Sequence, residues 1–153
     1  MAATRQAKAT WSGDLMTGSG EVSAASSGKF SGLPVSWAAR TEQPGGKTSP
    51  EELLAAAHAS CFCMALSNGL AKAGTPAQRL SCTVTVTFDK VGSGWSVTTS
   101  DVEVEGTVPG MDAESFRKAA EDAKENCPIS RALKGNVKLT VRSSLSQEQP
   151  TRA

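Results

Sequence analysis

The stretch that decides the fold is SPEELLAAAHASCFCMALSNGLAKAG, residues 49–74. It opens with Ser49, which can cap a helix, and with Pro50 at the position where helices favour proline. Two glutamates follow and complement the positive end of the helix dipole. The stretch closes at Gly74, a residue type that readily adopts the left-handed conformation ending a helix. The sequence therefore predicts one long helix from Ser49 to Gly74.

This helix is apolar or small almost all round between Leu53 and Leu66, with His58 and Ser60 as the polar exceptions. A helix without a polar face is typical of a protein interior. We expect it to be too short and too interrupted by polar residues to span a bilayer, so no membrane association is predicted. It carries a thiol, Cys61, into the interior. Because one sheet covers only one side of a helix, a second copy of the chain is a natural cover for the other side.

Composition limits the classes of function. The chain has 153 residues, a net charge of +1, no tyrosine and 5% aromatic residues. Intermixed charges and few aromatics argue against nucleic-acid binding. The N-terminus lacks an apolar run, so we expect no signal peptide and a cytoplasmic protein. The length predicts a single domain over residues 1–153, with flexible tails at residues 1–8 and 146–153.

Alternation of apolar and polar residues predicts strands on both sides of the long helix. In the third of them, Val35, Trp37 and Ala39 share one face, and Arg40 follows at the strand's end. A change of apolar phase predicts a β-bulge at residues 99–101. Long antiparallel pairs with helices packed to one side predict an α+β fold. The predicted elements are strands at residues 9–16, 21–25, 33–40, 81–88, 95–108 and 136–143, a second helix from Asp112 to Asn126 and a helical turn at residues 129–133.

The chain has four cysteines. Cys61 and Cys63 point about 200° apart on a helix, so they cannot share a metal ion, and no metal site is predicted. We interpret Cys63 and Cys82 as small core residues. Cys127 sits at a helix end before a proline, where the side chain has room to move. A thiol on a rigid helix and another at an adaptable corner fit a nucleophile and its resolving partner, but the spacing fits two core thiols equally well.

His58 lies one helical turn before Cys61 and on the same face. It is either a base for Cys61, as in a cysteine hydrolase, or a packed histidine bonded to a carbonyl group. The residues themselves favour the packed histidine and leave the hydrolase open.

The run SPEELLAAAHASCFCMALSNGL, together with CPISRAL around Cys127, resembles the OsmC/Ohr family of thiol-dependent hydroperoxide peroxidases. The resemblance continues in TWSGD near the start, DKVGSG in the predicted hairpin and VPGMD before the second helix. It covers residues 10–145 and is closer to the OsmC branch than to the Ohr branch. It implies an OsmC-like fold, with antiparallel sheets packed around a long buried central helix, in an intertwined homodimer with active sites at the subunit interface.

The resemblance also implies which residues act. Cys61 matches the family's peroxidatic cysteine and Cys127 its resolving cysteine, while Glu51 and Arg40 match the glutamate and arginine placed around the reactive thiol. The implied reaction reduces organic hydroperoxides, and hydrogen peroxide less efficiently, through a Cys61 sulfenic acid and a Cys61–Cys127 disulfide, in oxidative or osmotic stress defence. No bound cofactor is implied, only an external dithiol of the lipoamide type or a small thiol. The expected substrate-pocket residues are Leu54, His58, Phe62 and Met64.

Two other functions stay open beside the peroxidase. One is a redox-sensing stress protein that oxidises without turnover, and the other is a hydrolase using Cys61 and His58. The spacing of Glu51 and Cys61 adds a geometric expectation. Ten residues of straight helix span about 15 Å, too far for Glu51 to serve its own Cys61. We therefore expect Glu51, and with it Arg40, to reach the partner subunit's Cys61.

Overall fold

The computed structural model describes residues 1–146 as two compact units, one of residues 1–53 and the other beginning at Leu54. The elements run β1 (Ala7–Ser12), β2 (Ser19–Ala24), β3 (Leu33–Val35), α1 (Trp37–Thr41), α2 (Pro50–Lys72), β4 (Arg79–Val91), β5 (Gly94–Thr107), α3 (Ala113–Asn126), α4 (Pro128–Leu133) and β6 (Lys138–Leu145). The α+β class is confirmed, with two three-stranded sheets and one long helix.

The first unit is built on the antiparallel sheet β1-β2-β3. Trp11 of β1 pairs with Gly20 of β2, and a Cβ at Gly20 would lie 2.8 Å from the indole ring. Glycine is therefore required where the tryptophan crosses the neighbouring strand. β1 already begins at Ala7, so the last two residues of the expected N-terminal tail belong to a strand.

The predicted strand over residues 33–40 is wrong beyond Val35. Ser36 adopts an extended conformation and its Oγ accepts from the Ala39 N–H at 3.2 Å, which caps α1. A helix forms here in place of the strand that the alternating pattern predicts, because the Ser36 side chain satisfies a backbone donor at the start of the helix. Arg40 consequently projects from a short helix and not from the end of a strand.

The second unit contains the sheet β4-β5-β6. β4 and β5 form the expected antiparallel hairpin, but β6 pairs with β5 in parallel, so an all-antiparallel arrangement is wrong here. α3 and α4 lie between β5 and β6 in the chain, and a helical crossover of this length allows the next strand to run in the same direction. The predicted phase shift is confirmed, since Thr87 pairs with Thr99 and Phe88 with Val97. The extra residue is therefore Thr98, next to the predicted range.

The hydrophobic core of the second unit joins α2, α3 and β5. Phe62 and Leu66 of α2 are buried against Val102 and Phe116. Gly106 of β5 makes this packing possible, because a Cβ there would lie 2.5 Å from the Phe116 ring. The long helix thus supplies the centre of this core.

Within one chain α2 buries only part of its circumference, in contrast to the all-round burial expected from its composition. Ala56, Ala57, Ser60 and Met64 are exposed, and Met64 keeps 67% of its surface accessible. An apolar face of this kind normally needs a cover in water.

By length and composition α2, with 23 residues, could cross a membrane, so the expectation that it is too short is wrong. The core helix of a soluble protein meets the same criterion, however, and Phe62, Leu66 and Leu70 of α2 are buried in the core described above. Core packing therefore accounts for these three apolar side chains of α2.

At the C-terminal end, Ser146 is held to β5, since its N–H donates to the Gly106 carbonyl at 2.9 Å. Ser146 was expected to begin a flexible tail; the rest of that tail, residues 147–153, lies outside the described residues.

Candidate active site

Two thiols from distant parts of the chain meet in the second unit. Cys61 lies in the middle of α2, and Cys127 lies between α3 and α4, where its extended backbone ends one helix and caps the next. Their sulfur atoms are 3.2 Å apart and both cysteines are free thiols. A disulfide needs about 2.05 Å, so an approach of little more than 1 Å would join them. The structure therefore brings together the two cysteines that the sequence motifs single out.

Hydrogen bonds make the two thiols unequal. The Sγ of Cys127 accepts from the Ser130 N–H at 3.5 Å. Burial raises the pKa of the Cys127 thiol, but the backbone N–H and hydroxyl of Ser130, together with the contact with Cys61, outweigh burial and hold that pKa below its ordinary value. Burial and the neighbouring Cys127 raise the pKa of Cys61, although the Ile129 N–H opposes them. The pair titrates as a unit in which the first charge is favoured on Cys127.

An arginine–glutamate pair forms in the first unit. The Nε of Arg40 donates to both carboxylate oxygens of Glu51, at 3.0 and 3.1 Å, and Nη2 donates to Oε1 at 2.8 Å. Glu51 is 8% exposed, and the guanidinium carbon of Arg40 lies 5.9 Å from the centre of the Trp37 ring. The Glu51 carboxylate and the Trp37 ring both contact the Arg40 guanidinium, and together they fix its orientation. The two residues expected to act together are thus paired.

An apolar hollow of about 300 Å³ adjoins Arg40 in the same unit. Trp11, Leu15 and Trp37 form much of its wall. Trp11 is 42% exposed and Leu15 53% exposed, so both contribute accessible apolar surface to the hollow. The hollow therefore places apolar surface beside a positively charged group.

The His58 ring is fully buried and joins two serines. Nδ1 lies 2.7 Å from the Ser100 Oγ, and Nε2 lies 2.7 Å from the Ser130 Oγ. Burial lowers the pKa of His58 and so favours the neutral ring. The packed histidine favoured from the sequence is present, with hydroxyl groups in place of the expected carbonyl. Since both ring nitrogens have serine partners, this arrangement does not favour a Cys61–His58 hydrolase.

The sequence reasoning missed Ser100 and Ser130, which are both fully buried. Signals for them were present. Ser100 shares the inward face of β5 with Val102 and Val104, where a polar residue needs a partner, and Ser130 belongs to the CPIS motif after Cys127.

The residues expected to line a substrate pocket around Cys61 do not converge. Leu54 is half-buried, Phe62 is in the core and Met64 is exposed. Residues 62 and 64 are two positions apart on a helix, so they point in nearly opposite directions. Within one chain these side chains do not form a single pocket wall.

Cys63 and Cys82 form a second, less ionisable thiol pair. Burial raises the pKa of Cys63, and burial together with Cys63 raises the pKa of Cys82 to about 12. A thiol that stays protonated is a poor nucleophile. This supports their interpretation as core residues.

We expect the double variant Cys63→Ser/Cys82→Val to keep hydroperoxide turnover within about twofold of the wild type, because neither thiol ionises near pH 7. Steady-state rates with cumene hydroperoxide and dihydrolipoamide measure this. A loss of more than about tenfold, with an unchanged melting temperature, would instead give one of these thiols a part in the reaction.

Residues 1–146 contain no group of three or more histidine, cysteine or acidic side chains placed to hold a metal ion. The expected absence of a metal stays a prediction.

Comparisons with known proteins agree on one family. The family model described as OsmC-like protein matches residues 43–142. The peroxiredoxin OsmC of Escherichia coli K12 is 40% identical over 135 residues, which cover 88% of this chain and 93% of that protein. An organic hydroperoxide resistance protein of Xanthomonas axonopodis pv. citri is 32% identical over 99 residues, 63% of this chain and 67% of that protein. The crystal structure of the organic hydroperoxide resistance protein OhrB of Bacillus subtilis superimposes with a TM-score of 0.70 at 24% identity and covers 91% of this chain and 98% of that one.

Proposed function

Because the chain belongs to the OsmC-like family, we propose that it is a thiol-dependent peroxidase that reduces organic hydroperoxides in stress defence. The observation that carries this proposal is the 3.2 Å separation of the Cys61 and Cys127 sulfurs. The expected chemistry needs no metal or prosthetic group, because a thiolate is itself the nucleophile.

The reaction has three steps. The Cys61 thiolate attacks one peroxide oxygen, the O–O bond breaks, and the other oxygen leaves as an alcohol once it has taken a proton. Cys61 is then a sulfenic acid. The Cys127 sulfur attacks the Cys61 sulfur and displaces the hydroxyl group, which leaves as water with a proton from the thiol. An external dithiol, of the lipoamide type or a small thiol, finally reduces the Cys61–Cys127 disulfide.

In this scheme Arg40 stabilises the Cys61 thiolate and the charge that develops on the departing oxygen. Cys61 needs such help, because its surroundings raise its pKa. Glu51 keeps the guanidinium in one orientation. Glu51 and Cys61 are ten residues apart in α2, about 15 Å along a straight helix. We therefore assign Arg40 and Glu51 to the active site of the partner subunit in a homodimer.

The exposed side of α2 supports the homodimer. Ala56, Ala57 and Met64 would leave small and apolar surface in water in a monomer. A second copy of the chain related by two-fold symmetry would cover this surface and bring its own Arg40 to the thiol. The two active sites then lie at the subunit interface.

The hollow beside Arg40 supports an organic substrate. Its walls, which include Trp11, Leu15 and Trp37, suit an alkyl or aryl group, whereas hydrogen peroxide has no apolar part to bury there. Catalytic efficiency should therefore be higher for cumene hydroperoxide than for hydrogen peroxide.

We place the protein in the cytoplasm. All four cysteines are free thiols, as is usual where glutathione and thioredoxin keep proteins reduced. A dithiol that regenerates the active-site cysteines is available in the same compartment.

The test is peptide mapping after one equivalent of cumene hydroperoxide, followed by turnover with dihydrolipoamide. We expect the loss of two hydrogens per chain, a Cys61–Cys127 cross-link and repeated cycles of reduction and oxidation. Oxidation without turnover would favour a redox sensor. A Cys61 that stays a free thiol would overturn the peroxidase, and acylation of Cys61 would then be tested as the mark of a hydrolase.

A further inference from the structure

The peroxidase scheme makes no use of the buried Ser100–His58–Ser130 array. Its three side chains come from β5, α2 and α4, are almost entirely inaccessible to solvent, and are linked by two contacts of 2.7 Å. Buried polar groups of this kind cost stability unless they are satisfied. One end of the array reaches the active site, because Ser130 also hydrogen-bonds the Cys127 sulfur through its backbone N–H.

The array can take two forms, which differ in the tautomer of His58. In one, Ser100 donates to Nδ1, the Nε2–H donates to the Ser130 oxygen, and the Ser130 O–H is left to donate to Cys127. In the other, the Ser130 O–H donates to Nε2 and only its lone pairs remain. The first form suits a thiolate at Cys127, and the second suits a protonated thiol. The backbone N–H of Ser130 donates to the Cys127 sulfur in both forms. The tautomer of His58 therefore decides only whether the Ser130 hydroxyl is available to donate as well.

We propose that His58 is a positioning residue which acts through Ser130: it aims the serine hydroxyl at Cys127 and so stabilises the thiolate of the resolving cysteine. The inference rests on the proposed function for the role of Cys127. The Cys127 thiolate matters in two steps of the proposed reaction. It is the nucleophile that attacks the sulfenic acid of Cys61, and it is the leaving group when the disulfide is reduced.

The difference in exposure between the two cysteines indicates which sulfur the external dithiol attacks and which sulfur leaves. Cys61 is partly exposed, whereas Cys127 is fully buried. A thiolate of the external dithiol bonds to the Cys61 sulfur, the Cys61–Cys127 bond breaks, and its electron pair goes to the Cys127 sulfur. A sulfur that is stabilised as thiolate is the better leaving group. The second thiol of the reductant then displaces Cys61 and restores both cysteines.

Other groups also face Cys127 and must be kept constant in a test. They are the thiol of Cys61 on α2, the thiol of Cys82 on β4 and the Ile129 N–H at the start of α4. The Cys61→Ser background removes the coupled thiol, so that the ionisation of Cys127 can be followed without turnover.

The experiment follows the thiolate absorbance at 240 nm against pH in the full-length Cys61→Ser protein, because the buried Cys127 sulfur is not open to an alkylating reagent. The same titration of Cys61→Ser/Cys127→Ser is subtracted, so that the difference reports the ionisation of Cys127. We expect added Ser130→Ala or His58→Leu to raise the midpoint of this profile by about one pH unit. With His58→Gln the midpoint should lie closer to that of the Cys61→Ser protein than with His58→Leu, because an amide offers both a donor and an acceptor. Val102→Ala is the matched control: it opens a cavity in the same core and should lower the melting temperature without moving the midpoint.

In the active background, Ser130→Ala should slow disulfide formation at pH 7 about threefold, since the smaller thiolate fraction is partly offset by greater nucleophilicity. Consumption of the first equivalent of hydroperoxide should not change. An unchanged midpoint in either Ser130→Ala or His58→Leu would overturn the inference, and so would an equal shift in Val102→Ala. Because the absorbance titration needs no peroxidase activity, this result is independent of whether the proposed function is correct.

Discussion

Replacing Cys61 by serine is expected to abolish hydroperoxide reduction, with a loss of about a thousandfold or more. A serine hydroxyl is not ionised near neutral pH and does not attack a peroxide oxygen. The fold should survive, because the sulfur is only partly buried and the new side chain is of similar size. Loss of cumene hydroperoxide, measured in the presence of dihydrolipoamide, gives the rate.

Cys127→Ser should behave differently and serves as the matched variant. It keeps a residue type favoured at the helix cap that Cys127 occupies before α4. The first equivalent of hydroperoxide should still be consumed, and the resulting sulfenic acid at Cys61 should be trapped by dimedone. Multiple turnovers with the dithiol should fall strongly. If Cys61→Ser retained turnover while Cys127→Ser lost it, the roles of the two cysteines would have to be exchanged.

The parts of the fold that the sequence predicts well are those with local end signals. α2 was expected over residues 49–74 and runs Pro50–Lys72, and α3 begins after Asp112, whose carboxylate accepts from the Ser115 N–H as a cap should. Both helices could be predicted because capping residues lie within one turn of their ends.

The errors arise where distant or competing contacts decide the structure. The pattern of Val35, Trp37 and Ala39 fits a strand, yet the cap at Ser36 makes a helix there. The parallel direction of β6 depends on how two helices return the chain to β5, which no local pattern encodes.

The same distinction applies to the site. The cysteine pair was found through motifs, because the residues around Cys61 and Cys127 carry a family pattern. The array around His58 was not predicted, because the hydrogen-bond partners of His58, Ser100 and Ser130, lie 42 and 72 residues away along the chain. Only the folded core brings these three residues together.

The proposed homodimer, in which Arg40 and Glu51 reach the partner subunit's Cys61, can be tested by combining two defective chains. We expect Glu51→Ala to lower activity about tenfold or more, because Arg40 loses the carboxylate that orients it. Heterodimers of Cys61→Ser and Glu51→Ala chains, purified through two different tags, should then recover about half of the wild-type activity. One of their two sites would combine an intact Cys61 from one chain with an intact Arg40–Glu51 pair from the other.

The matched control combines Cys61→Ser with Cys127→Ser. Cys61 and Cys127 meet within one chain, so neither site of this heterodimer contains both thiols and no recovery is expected. Recovery with Glu51→Ala but not with Cys127→Ser would mean that the thiols act within a chain while Glu51 acts across the interface. If neither pair recovers activity, Glu51 serves its own chain, and α2 must then bend or unwind between residues 51 and 61, because a straight helix keeps them about 15 Å apart.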